Sequence, residues 1–207
     1  MQQNKQNAIG EVVGITGFSG SGTSTVAKIL TDVGGFVIEA DKIAHEVMQK
    51  DKPAYNDIVS FFGTDIIMDN GEINRRILAA IVFTDKCKLD TLQHIVHPHV
   101  VAKTKELISD RQTLNECTFY VIDAPLLFES GMDSLCDRCW VITAPKETRL
   151  QRIMARDNIS LDEAELRLKN RLPEEELFKL ANVVIKNDGD LNNLRYDVIS
   201  KHGRLTT

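Results

Sequence analysis

GITGFSGSGTSTVAKIL, residues 14–30, changes character twice along its length. It opens as the end of an apolar strand over Glu11–Thr16, passes through a run of glycine and small hydroxyl residues, and closes on a helical pattern set by Val26, Ile29 and Leu30. Strand, glycine-rich turn and helix in that order match the phosphate loop G-x-x-x-x-G-K-[ST]. Gly17, Gly20 and Gly22 let the backbone fold around a phosphate with its N–H groups turned inward, Ser19 and Ser21 lie between them, and the helix start adds a partial positive end. Ser24 falls at the hydroxyl position that binds Mg²⁺, and Thr25 is placed for a nearer phosphate. Thr23 stands where the motif has lysine. A threonine carries no charge and does not reach the terminal phosphates. By analogy with the loss of one positioned transition-state donor, the cost is about 3–4 kcal/mol, or ~10²–10³ in rate.

Outward from this segment, short strands rich in Val and Ile alternate with helical patterns: Phe36–Glu39, Phe119–Asp123, Arg138–Thr143 and Val183–Lys186. This spacing predicts an α/β fold with a five-stranded parallel sheet covered by crossover helices. The interval between the second and third strands is too long for one crossover. Its helical patterns, from about residue 53 to 110, read as an inserted helical subdomain. Leu89, Leu92, Val96, Val100 and Leu107 lie near one face of the last helix, which is expected to kink or divide at His97-Pro98. Ser160-Leu161-Asp162-Glu163 matches a capping box opening a helix in an arginine-rich stretch, residues 146–180. Phe61-Phe62 and Trp140 read as core.

The 207 residues suit a single domain with insertions; 43% are hydrophobic and 27% charged. A net charge of −5 supplies no global basic field for nucleic acid or an anionic membrane. No apolar run approaches the roughly 18 residues of a transmembrane helix, and MQQNKQNAIG lacks the apolar core of a signal peptide. Of the four cysteines, Cys136 and Cys139 form a Cys-x-x-Cys pair, but no second pair completes a zinc site, and they read as structural thiols. A cytoplasmic location is expected.

Several further segments together resemble the dephospho-coenzyme A kinase family: Ile38-Glu39-Ala40-Asp41, Pro125-Leu126-Leu127-Phe128-Glu129, Met154-Ala155-Arg156-Asp157, Glu163-Ala164-Glu165-Leu166-Arg167 and Ile185-Lys186-Asn187-Asp188-Gly189. Gly71-Glu72-Ile73-Asn74-Arg75 and His97-Pro98 also resemble family signatures. The resemblance runs from about Val13 to Leu194. It implies a P-loop kinase fold with a helical acceptor-binding subdomain and a helical lid. It also implies Mg²⁺-dependent transfer of phosphate from ATP to the ribose 3′-hydroxyl of dephospho-coenzyme A, in a monomer or small homo-oligomer.

On that basis Asp41, after the second strand, is expected to orient the acceptor hydroxyl and take its proton, the alternative being an N-cap for the helix Lys42–Met48. Asp123 ends its strand as a Walker-B carboxylate would, a metal position beside Ser24. Arg152, Arg156 and Arg167 suit a triphosphate, because the guanidinium fork pairs with two oxygens at once. Arg156 is also a candidate for the chemical step, and Arg171 is an extra charge near them. The resemblance places Asn187 and Gly189 beside adenine, and Arg75 and His97 near the acceptor. Two alternatives stay open: an impaired homologue that binds nucleotide or coenzyme A as a regulator, on the strength of Thr23, and a P-loop kinase with another hydroxyl acceptor, in which the helical span would have diverged. Lys28, one turn into the first helix, reads as pointing away from the loop.

Overall fold

The computed structural model describes residues 10–114, 117–168 and 172–203; Arg171 lies outside them. Strands β1 (Glu11–Gly17), β2 (Gly35–Glu39), β3 (Phe119–Asp123), β4 (Arg138–Thr143) and β5 (Val183–Lys186) form one sheet in the order β2-β3-β1-β4-β5. Every pairing is parallel. The strand predictions hold to within a residue at each end.

Alternation along the strands feeds two apolar layers, as a sheet covered on both faces requires. Val13, Ile15, Phe119, Val121, Trp140 and Ile142 face helices α1 (Thr23–Asp32) and α9 (Leu191–Gly203), which supply Ile29, Leu30, Leu194 and Val198. Val12, Ile38, Tyr120, Ile122 and Cys139 face the other way. They meet α2 (Ala40–Val47), α3 (Pro53–Phe62), α4 (Arg75–Phe83) and α5 (Lys86–Leu114). Ile58, Leu78, Val82, Val96 and Val100 therefore bury their side chains in the same core as the strands. Helices α6 (Lys146–Asp157), α7 (Leu161–Leu168) and α8 (Glu174–Leu180) follow β4.

Three expectations are corrected. Helix α5 does not divide at Pro98; it continues from Lys86 to Leu114 with the proline inside it. Val96, Val100, Thr104 and Ile108 are buried on both sides of the proline, so packing against α2, α3 and α4 holds the helix across the lost hydrogen bond. Phe61 is 53% exposed rather than core, although its ring meets that of Phe62 edge-on at 4.9 Å. Asp41 sits within the first turn of α2, and the N-cap residue is Glu39. Trp140 is fully buried, as expected. All four cysteines are free, and the described residues contain no group of three His, Cys, Asp or Glu able to hold a metal. Among the described residues no helix is long and apolar enough to cross a membrane.

Candidate active site

A parallel sheet presents all its carboxyl ends along one edge, and here the register sets Ile15, Asp123 and Glu39 level across β1, β3 and β2. The chain leaves β1 two residues later and turns at once into the phosphate loop. Ser21 N donates to the Phe18 carbonyl at 2.9 Å, while Thr25 N and Val26 N both donate to the Gly22 carbonyl at 3.1 Å. Gly20 and Gly22 hold φ of 79° and 95°, a left-handed conformation that strains any residue with a Cβ. At Gly22 a Cβ would also run into the Asn187 side-chain amide.

That amide is the loop's main anchor. Asn187, 7% exposed at the end of β5, donates through Nδ2 to the Ser21 carbonyl at 2.7 Å. Arg152 on α6 donates to the Gly20 carbonyl at 3.3 Å and to the Asn187 carbonyl at 3.2 Å. Both residues thus meet loop backbone directly, a role that spacing did not reveal. On the other side Ala124 N donates to Ile15 O, and Thr16 Oγ1 donates to Pro125 O at 2.9 Å, fixing the segment after β3 against β1.

Between these elements opens a cleft of about 650 Å³. Its lining combines Gly17, Ser19, Gly20, Gly22, Thr23 and Ser24 of the loop with the carboxylates of Glu39, Asp41 and Asp123 and the guanidinium groups of Arg152, Arg156 and Arg167. Most of the predicted site residues are therefore brought together. Ser21 is fully buried behind the loop and its hydroxyl has no partner. Thr25, Asn187 and Gly189 stand outside the lining, Asn187 acting through the loop. His97 lines a smaller apolar groove of about 180 Å³ that begins at Asp41 and Pro125. Arg75 lines a third recess with His45, whose Nε2 lies 2.5 Å from its guanidinium.

Burial, reinforced by the carboxylates of Asp41 and Glu39, pushes Asp123 up to about 6. Glu39 is itself paired with Lys42 at 2.7 Å. Asp157 engages two of these arginines: Arg156 donates through Nε and Nη2 to its two oxygens at 2.7 and 2.8 Å, and Arg167 Nη1 donates to Oδ2. The Arg156 hydrogen bond is the main cause holding Asp157 below the usual carboxylate range. The predicted capping box is formed, with Ser160 N to Glu163 Oε2 at 2.9 Å and Glu163 N to Ser160 Oγ at 3.3 Å.

Sequence reasoning missed Phe18, Leu168 and Arg149. Phe18 and Leu168 line the cleft, and their apolar side chains carry no signal of a phosphate site. Arg149 belongs to an Arg149, Arg152, Arg156 stripe on α6, but nothing in that spacing foretells that it alone is buried, at 8% exposure.

A strand that runs through a glycine-rich loop into a helix, with carboxylates and arginines facing one another above it, places the molecule among the P-loop kinases. The model of the dephospho-CoA kinase family matches residues 11–193, and the chain belongs to that family. It is 41% identical to the dephospho-CoA kinase of Moorella thermoacetica, over 90% of this chain and 88% of that protein. Among solved structures, the dephospho-CoA kinase of Campylobacter jejuni superposes with a TM-score of 0.68 at 33% identity, covering 94% of this chain and 96% of that one. TT1252 from Thermus thermophilus superposes with a TM-score of 0.78 at 32% identity, covering 96% and 99%.

Proposed function

We propose that this chain transfers the γ-phosphoryl group of ATP to the ribose 3′-hydroxyl of dephospho-CoA, the final phosphorylation of coenzyme A synthesis. The observation that carries the reading is the placement of Asp41 across one cleft from Thr23 and Ser24 at the base of the phosphate loop. Inverted loop amides and the start of α1 receive the β- and γ-phosphates. Asp41, exposed to the cleft and free of the N-cap role, accepts the proton of the acceptor hydroxyl. The hydroxyl oxygen then bonds to the γ-phosphorus, the bond to the β–γ bridging oxygen breaks, and ADP leaves. Arg156 and Arg167 exchange the Asp157 carboxylate for phosphate oxygens as negative charge spreads over the transferring group.

The donors beside Ser24 are oxygen only, with Asp123 the most buried of the carboxylates, which suits a hard cation such as Mg²⁺. Mg²⁺ characteristically takes one or two protein carboxylates and completes its shell with phosphate and water, so the lack of a three-residue cage among the described residues fits it. Ser24 and Asp123 would hold the ion, which when bound neutralises charge on the β- and γ-phosphates. The groove lined by Ala44, Met48, Leu92, Val96 and His97 opens at Asp41 and is the place for part of the acceptor, so that α5, within residues 53–110, contributes acceptor contacts. Residues 146–180 act as the lid.

The test is phosphate transfer from Mg-ATP to dephospho-CoA by this chain and by Thr23→Lys, with Asp41→Asn as the background. Turnover above that background, raised by the lysine, is the expected result. Transfer to other hydroxyl acceptors but not to dephospho-CoA would overturn the acceptor assignment. Nucleotide binding with no transfer by either protein would overturn the kinase reading.

A further inference from the structure

Without its lysine the phosphate loop needs another source of positive charge, and among the described residues the neighbouring cations are mostly committed. Lys28 is 78% exposed and lies 3.7 Å from Asp32 on the outer face of α1. Arg152 donates to two backbone carbonyls. Arg156 and Arg167 share Asp157 at rest and, in the proposed mechanism, leave it only as charge spreads over the transferring group.

Arg149 differs from all of these. It is 8% exposed, its Nε is buried without a hydrogen-bond partner, and its ion pair with Glu174 is a long one, Nη2 to Oε2 at 4.0 Å. Glu174 is 42% exposed and already accepts from Thr143 Oγ1 at 2.8 Å. A guanidinium taken out of water with so little compensation is costly unless a further anion completes it. Its surroundings set its charge beside the phosphate loop. The guanidinium carbon lies 4.6 Å from the centroid of the Phe18 ring, and Phe18 lines the cleft as the second residue of the phosphate loop. The Arg149 backbone also abuts Gly20, where an added Cβ would come within 2.6 Å of the Arg149 carbonyl oxygen.

We propose that Arg149 is a positioning residue for the nucleotide triphosphate: held behind the loop against Phe18, it supplies the positive field that Thr23 cannot. This rests on the reading of the loop as a nucleotide site, but not on the identity of the acceptor. Arg149 acts through the loop and Phe18, and the cleft lining does not include it. Its contribution should therefore be largest in the lysine-free loop and redundant once a lysine is restored.

Mg-ATP affinity, measured by direct titration without acceptor, is compared for the chain as it stands, Arg149→Met, Thr23→Lys and the double variant. Arg149→Met is expected to weaken ATP about tenfold in the Thr23 chain and less than about twofold beside Thr23→Lys. Arg149→Lys is expected to retain most of the affinity, and Glu174→Gln, which frees the guanidinium, to tighten binding. Equal losses in both backgrounds would mean that Arg149 only supports the fold and would overturn the inference. So would unchanged affinity in Arg149→Met. If Arg149→Met fails to fold, Glu174→Gln decides alone: tighter binding upholds the field, and unchanged or weaker binding overturns it. The pattern in affinity with no transfer to dephospho-CoA would leave Arg149 in place and sink the acceptor reading.

Discussion

Asp123 and Asp41 illustrate how two carboxylates facing one cleft acquire different tasks. Desolvation lifts Asp123 to about 6, whereas Asp41 is exposed. Because the folded chain holds the Asp123 proton more tightly than the unfolded chain, that group favours folding fully below about 3.8. The advantage is lost as pH rises through about 6. Asp123→Asn should therefore raise stability at pH 7–8 by up to about 3 kcal/mol and change it little at pH 4. Thermal melts at the two pH values check this, and an equal effect at both would refute the burial account. On the proposed Mg²⁺ role, the same substitution should raise the Mg²⁺ concentration that transfer requires. Asp41→Asn should lower kcat by about 10²–10⁴ while leaving ATP affinity intact, as steady-state kinetics beside a binding titration will show.

Among the elements, the strands were legible because each is a short Val- and Ile-rich run bounded by turn residues, and β3, β4 and β5 match the expected limits. Helix α5 was not legible as one piece. Sequence reports the hydrogen bond that Pro98 removes, but not the helices α2, α3 and α4 packed along α5 that hold it together. Pro98→Ala should thus stabilise the protein by about 1–3 kcal/mol in denaturant titrations, because the backbone is already helical. The capping box was readable since its two residues lie one turn apart and need no distant partner. Ser160→Ala should cost helix α7 about 1 kcal/mol. Faster amide exchange over Leu161–Leu168 and a higher KM for ATP, with kcat little changed, are the expected signs. Asn187 and Arg152 escaped recognition as loop anchors because their partners, the Ser21 and Gly20 carbonyls, lie 166 and 132 positions away.

At the level of the whole molecule, hydrogen bonds tie the phosphate loop to the sheet: Asn187 at the end of β5 reaches the loop, and the Arg152 turn of α6 reaches both. Ligand seated on that loop should stabilise the entire chain rather than one segment. At 100 times its dissociation constant, Mg-ATP should add about 2.7 kcal/mol to unfolding, seen as one cooperative melt moved to higher temperature. A second, unshifted transition would show that the helices between β2 and β3 unfold separately. Asp157 carries a different consequence for the molecule at rest. Its carboxylate already occupies the donor forks of Arg156 and Arg167, so an incoming anion must outbid a tethered one. Orthophosphate arrives with a single foothold, while a triphosphate also grips the loop and competes by multivalency. With Arg156 and Arg167 in the proposed phosphate role, Asp157 would keep free phosphate off them, and Asp157→Asn should let orthophosphate inhibit at markedly lower concentration.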